Sequence, residues 1–141
     1  MAEGLGIAAS AIAVIELAAK VASLCLQYSK DVQGARDDIA RLQRTTTDLQ
    51  NMSRSVKELL DGPHRERLKA SRELRATLDD SQRQLEQLKN KLTPNTPRAA
   101  MKRIGLRALK WPFESRDIEK IIESLARSTQ TISLSLQVDQ T

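Results

Sequence analysis

From Leu5 to Leu26 the chain runs through 22 residues of which nine are Leu, Ile or Val, seven are Ala and only Glu16 and Lys20 are charged. A helix that is apolar on every side belongs either at the centre of a bundle or in a membrane. As a helix this stretch would extend about 33 Å, close to the hydrocarbon thickness of about 30 Å. Magnitudes oppose a permanent span. The nine large aliphatics favour insertion by about 3 to 5 kcal/mol in total, whereas two central charges oppose it by about 5 to 7 kcal/mol. Glu16 and Lys20 stand at i and i+4 in the favourable order, so pairing lowers that cost, and association of several chains lowers it further. Residues Gly6, Ser10, Ala9, Ala13, Ala18, Ala22, Ala19 and Ser23 recur at intervals of four and permit close helix contact. Alanine is also simply a good helix former.

A cleaved signal peptide fits this N-terminus poorly, because Glu3 stands where a basic residue belongs and Glu16 and Lys20 interrupt the apolar run. Ala2 excludes N-myristoylation. The expectation is therefore a conditional membrane helix, with Leu5, Ile7, Ile12, Val14, Ile15, Leu17, Val21 and Leu24 as the inserting residues.

The rest of the chain suits helix on helix. With 141 residues it is expected to be one domain with one core. Aromatics make up 2% of residues, one each of Trp, Tyr and Phe, so the core must be aliphatic. In the second segment, about 32–61, Val32, Ala35, Ile39, Leu42, Thr46, Leu49, Met52, Val56 and Leu59 recur at threes and fours, with at most a bend at Thr45, Thr46 and Thr47. In the third, about 64–92, Leu68, Ser71, Leu74, Leu78, Ser81, Leu85, Leu88 and Leu92 do the same. Ser29, Asp31 and Gly34 offer cap and turn chemistry between the first two segments, and Asp61, Gly62 and Pro63 end the second. A loop at 93–97 precedes a short basic helix, about 97–110, and Ser115 is placed to cap a last helix that runs to about 138. With the first helix at about 5–28, the expected fold is an all-α, up-and-down bundle of four main helices plus the short basic one.

Charge is unevenly spread. The formal net charge is +5, and the window 93–116 holds six bases against the single acid Glu114. Arg98, Lys102, Arg103, Arg107 and Lys110 share one half of the short helix, and Trp111 and Phe113 follow it. That pattern suits a membrane-surface helix with aromatics at headgroup depth. It equally suits a solvated basic face with the two rings closing the core. Nucleic-acid binding is the weakest reading, since no known binding module accompanies the patch.

Catalytic chemistry finds little to work with. His64 is the only histidine and Cys25 the only cysteine, so neither a metal site nor a nucleophile and base pair can be assembled from them. A lone thiol among apolar neighbours suits a reducing compartment. The acid pairs Asp37 and Asp38, and Asp79 and Asp80, lie among charged residues and are expected on solvent faces. Gly4-Leu5-Gly6 lacks the preceding strand and later glycine of a dinucleotide fingerprint. The expectation is a protein with no enzymatic activity, cofactor or metal.

Three stretches, MAEGLGIAASAIAVIELAAKVASLCLQ at 1–27, LRALKWPF at 106–113 and ISLSLQVDQT at 132–141, resemble the HeLo-like N-terminal domains of fungal STAND proteins, which precede NACHT-type nucleotide-binding regions. The resemblance spans essentially the whole chain. It implies a helical-bundle effector of fungal innate immunity and programmed cell death, cytoplasmic at rest. In that picture an oligomerising NLR-like receptor frees the first helix to engage anionic lipids of the plasma membrane. No Walker motif is present, so nucleotide sensing would belong elsewhere, and the chain is expected to be an isolated effector domain or a short relative. A soluble helical adaptor that self-associates or binds another helical domain is the alternative.

Overall fold

The computed structural model describes the backbone of residues 2–31, 34–63, 65–93 and 111–140, and the side chains of 6–30, 34–63, 65–93 and 111–137. Among the described residues five helices follow one another: α1 (Ala2–Asp31), α2 (Arg36–Leu60), α3 (Arg65–Ala70), α4 (Arg72–Leu92) and α5 (Ser115–Gln140). There is no strand among the described residues. The fold is an all-α, up-and-down bundle. Helix α1 packs against α2 and α4, and α5 packs against the same two, so α1 and α5 face each other across the diagonal.

Periodicity built α2 and α4. Ile39, Leu42, Thr46, Leu49, Ser53, Val56 and Leu60 are the buried stripe of α2. Met52 and Leu59, expected within it, lie at its partly buried edge, because seven turns at 3.6 residues carry the seam round to Ser53 and Leu60. In α4 the buried positions are Leu74, Leu78, Ser81, Leu85, Leu88 and Leu92, as the spacing predicts. Two buried hydroxyls are satisfied within their own helices, Ser53 Oγ donating to the Leu49 carbonyl at 2.9 Å and Ser81 Oγ to that of Thr77 at 2.8 Å, whereas the buried Thr46 Oγ1 has no partner among the described residues. The threonine run does not interrupt α2, and Thr47 Oγ1 donates to the Gln43 carbonyl.

Three local expectations are corrected. The single helix expected over 64–92 is broken at Ser71, whose extended backbone (φ −77°, ψ 106°) lets its Oγ accept from Leu74 N at 3.2 Å and start α4 afresh. Serine competes with the helix for its own backbone, so here the cap outweighs the stripe. Ser115 is the first helical residue of α5 rather than its cap, and its hydroxyl donates to Asp38 Oδ2 at 3.2 Å, tying α5 to the start of α2. No side chain caps α2 at Ala35, while Ser29 donates back to the Leu26 carbonyl within α1.

A second tie between α2 and α5 is bidentate: Arg41 Nη1 and Nη2 donate to Glu119 at 2.7 and 2.8 Å. That hydrogen-bonded pairing raises the Arg41 pKa and lowers that of Glu119. Both groups are solvated, so the pair sets register more than stability. Ser71→Ala should lower the unfolding free energy by about 1 kcal/mol through loss of the cap, measured as a shifted urea midpoint at unchanged slope.

Candidate functional site

The first helix turns out to be one-sided in its packing. Ile7, Ala11, Val14, Ala18, Val21, Cys25 and Tyr28 are each no more than 3% exposed. They alternate steps of four and three, the 3.5-residue repeat of a helix that meets its neighbours along one seam. The rest of the helix surface faces water, and Ile12 and Leu26, each one residue past the seam and so on its flank, are 40% and 49% exposed. Of the most apolar window within Gly6–Lys30, whose mean hydropathy is 1.8 and whose length and composition suffice to cross a membrane, only 33% is buried. Helix α1 is therefore an outer helix and not a central one, and its exposed positions mix Ala9, Ile12, Ala19 and Leu26 with Glu16, Lys20, Ser23, Gln27 and Lys30.

That outside has its own order. Ala8, Ile12, Ile15, Ala19, Ala22 and Leu26 repeat the four-three spacing one residue out of step with the inner seam, and all six are exposed or half-buried. Among the described residues only Ile12, Leu26 and Leu134 of α5 are large apolar side chains counted as exposed.

The residues expected to insert are divided by this arrangement. Ile7, Val14 and Val21 are fully buried in the seam. Leu17 and Leu24 are partly buried against the core, Ile15 is half-buried and Ile12 is exposed. The side chain of Leu5 lies outside the described residues, as do Arg98, Lys102, Arg103, Arg107 and Lys110. Glu16 and Lys20 are both exposed and form no ion pair among the described residues, so the expected pairing within the helix is not made. Water solvates each charge well enough that closing the pair gains little.

Polar contacts fix α1 at three levels. Near its start Ser10 Oγ donates to Asp79 Oδ1 at 2.6 Å, and one turn earlier the Arg75 guanidinium lies where a Cβ on Gly6 would meet it at 3.1 Å. At mid-helix Gln50 Nε2 donates to the Ile15 carbonyl at 3.1 Å. Near its end the Tyr28 hydroxyl donates to the Leu92 carbonyl at 2.8 Å in a buried site. Sequence reasoning missed Asp79, assigned to a solvent face. The one available signal was its place beside Leu78 in the buried stripe of α4.

The three aromatic rings gather at the Tyr28 end. Tyr28 meets Trp111 edge-on at 5.3 Å, Trp111 meets Phe113 at 5.2 Å, and Lys91 Nζ lies 5.8 Å from the Phe113 centroid. Trp111 and Phe113 are half-buried against the core, so at rest they close the bundle end. A shallow groove of about 420 Å3 separates α4 from α5, with Lys91 and Lys120 at its rim. Among the described residues no three His, Cys, Asp or Glu side chains could hold a metal ion.

Burial pushes the Cys25 thiol up to about 12 from its ordinary 9.0. The Tyr28 hydroxyl is raised too, chiefly by burial and then by Cys25. A thiol whose pKa is raised on folding favours the folded state fully below its unfolded value. That contribution is lost as pH rises from 9.0 towards about 12. Alkaline unfolding curves should therefore fall more steeply for the natural protein than for Cys25→Ala across that window. Ser10→Ala should cost about 1 to 2 kcal/mol in denaturant unfolding, because it leaves a half-buried carboxylate without its donor. Compared with family models, with curated proteins and with solved structures, the chain matches none.

Proposed function

We propose that the protein is a helical-bundle effector domain of the HeLo-like kind, acting as the N-terminal signalling domain of a fungal STAND protein and carrying its activity in α1. The observation that supports this reading most directly is the outer stripe of α1, where Ile12, Ala19 and Leu26 are left exposed. In its resting cytoplasmic form the domain keeps the inner seam docked. Oligomerisation of the parent protein brings several copies of α1 together at the plasma membrane, where they insert and execute cell death.

Energetics explain why one copy would not suffice. Undocking exposes Ile7, Val14 and Val21, at about 1.5 to 3 kcal/mol each, and breaks three interhelical hydrogen bonds. Insertion of the lone helix is itself unfavourable by about 2 kcal/mol when its two charges are set against its aliphatics. Helix association in the membrane, together with attraction of Arg98, Lys102, Arg103, Arg107 and Lys110 to anionic lipid, supplies the difference. A second reading, a soluble helical adaptor, is favoured by the water-facing placement of Glu16 and Lys20. It needs no undocking.

Leakage of anionic vesicles by clustered protein separates these readings. Ile12→Glu and Leu26→Glu change exposed residues, so the fold is retained while leakage falls several-fold, and Cys25 becomes open to thiol labelling only when α1 leaves the bundle. Equal leakage from all variants, with Cys25 still protected, would overturn the membrane role.

A further inference from the structure

The outer stripe of α1 has a feature that lipid does not require: its charges are self-complementary. Glu16 lies two residues before Ala18 and Lys20 two residues after it, on the same flank of the stripe formed by Ala8, Ile12, Ile15, Ala19, Ala22 and Leu26. Both are exposed and neither has an ion-pair partner among the described residues. A two-fold axis level with Ala18 reverses the helix direction but keeps that flank on one side. Glu16 of each copy then stands at the height of the other copy's Lys20. Two identical opposite-charge contacts form by symmetry, as an isologous interface requires.

From this geometry we infer that two copies of the resting protein pack through the outer stripe of α1, with the two helices antiparallel. A parallel two-fold pair would instead put this flank on opposite sides of the seam in the two copies, so that Glu16 and Lys20 would meet no opposite charge across it. Apolar side chains meet across the antiparallel seam at both ends: Ile12 comes level with a point between Ala22 and Leu26 of the other copy, and Leu26 with a point between its Ala8 and Ile12. The alanines allow close approach of the two helix axes, and Ile12 and Leu26 lose the exposure that distinguishes them from the other large aliphatics of α1.

Size sets the strength. The stripe is about 28 Å long and about 10 Å wide, on the order of 300 Å2 per copy, where a standard stable interface buries about 800 Å2 per partner. Helix α2 runs beside the stripe, its Gln50 bonded to the Ile15 carbonyl, and adds to the contact. The dimer is thus weak and reversible, and its few charges carry unusual weight. Its consequence is protective: the surface offered to membrane is covered in the resting state without any change in the bundle. The inference stands on the exposed stripe and its charges, not on the membrane reading.

Sedimentation equilibrium of the full chain in buffer without lipid tests it. The natural protein should show a concentration-dependent monomer and dimer equilibrium. Glu16→Lys or Lys20→Glu alone should weaken it tenfold or more, and the double exchange should restore it. An equimolar mixture of the two single variants should also dimerise. Under mild oxidation Ala19→Cys, beside the axis, should form an interchain disulfide, while Leu26→Cys should not, being about 24 Å from its counterpart along the helix. Circular dichroism of each variant establishes that the bundle is intact. A natural protein that stays monomeric at every concentration, a mixture that fails to recover, or Leu26→Cys that cross-links as readily as Ala19→Cys would each overturn the proposal, leaving the vesicle result to be judged separately.

Discussion

The inner seam of α1 is the contact on which the bundle depends. Ile7, Ala11, Val14, Ala18, Val21, Cys25 and Tyr28 press into the angle between α2 and α4, and these two helices complete the core with α5 on the far side. Alanine at positions 11 and 18 keeps the seam narrow, so α2 and α4 can both reach it, and Tyr28 widens it only at the end where Trp111 fills the remaining space. Long-range hydrogen bonds follow the same plan. Ser10 and Tyr28 join α4, while the Ile15 carbonyl takes Gln50 of α2. Without α1 the buried stripes of α2 and α4 would have a common wall only through α5.

Much of this was legible from the sequence. Leucines at threes and fours in α4 translate directly into buried positions because its other residues are polar, so only one face can turn inward. The same holds for α2, with small drift at Met52 and Leu59. The sidedness of α1 was not legible for the complementary reason. When both faces are apolar, periodicity offers no contrast, and the choice between Ile12 and Ile7 as a core residue falls to the shape of the neighbours. Ser71 and Ser115 show another limit: one hydroxyl can sit in a stripe, cap a helix or tie two helices together, and local pattern does not choose between them.

The candidate site divides along the same line. That α1 is the distinctive element follows from composition alone. Which of its residues face water does not, and neither does the pairing of Ser10 with Asp79, a contact between residues 69 apart in the chain. Charged residues near an acid pair are a fair sign of a solvent face, yet Asp79 stands next to Leu78 and only a quarter-turn separates it from the core. In sequence, Trp111 and Phe113 suit a lipid-facing and a core-closing role equally. Tyr28, distant in sequence, decides that at rest they close the core by bringing a hydroxyl and a ring to the same corner.

A helix that served only to complete a core would be expected to look like α2, whose outer side carries Arg36, Asp37, Arg41, Arg44, Asp48 and Arg54. Helix α1 performs the same structural role with a seam of similar length, but at its exposed positions Ala9, Ile12, Ala19 and Leu26 stand among Glu16, Lys20, Ser23, Gln27 and Lys30. Polar residues there would cost the bundle nothing, since water already covers the surface. The exposure of Ile12 and Leu26 has no structural cause within one copy. Near the middle of α1, Glu16 and Lys20 would cost more at the centre of a bilayer than the nine aliphatics return, and they are spaced to find each other in an antiparallel pair.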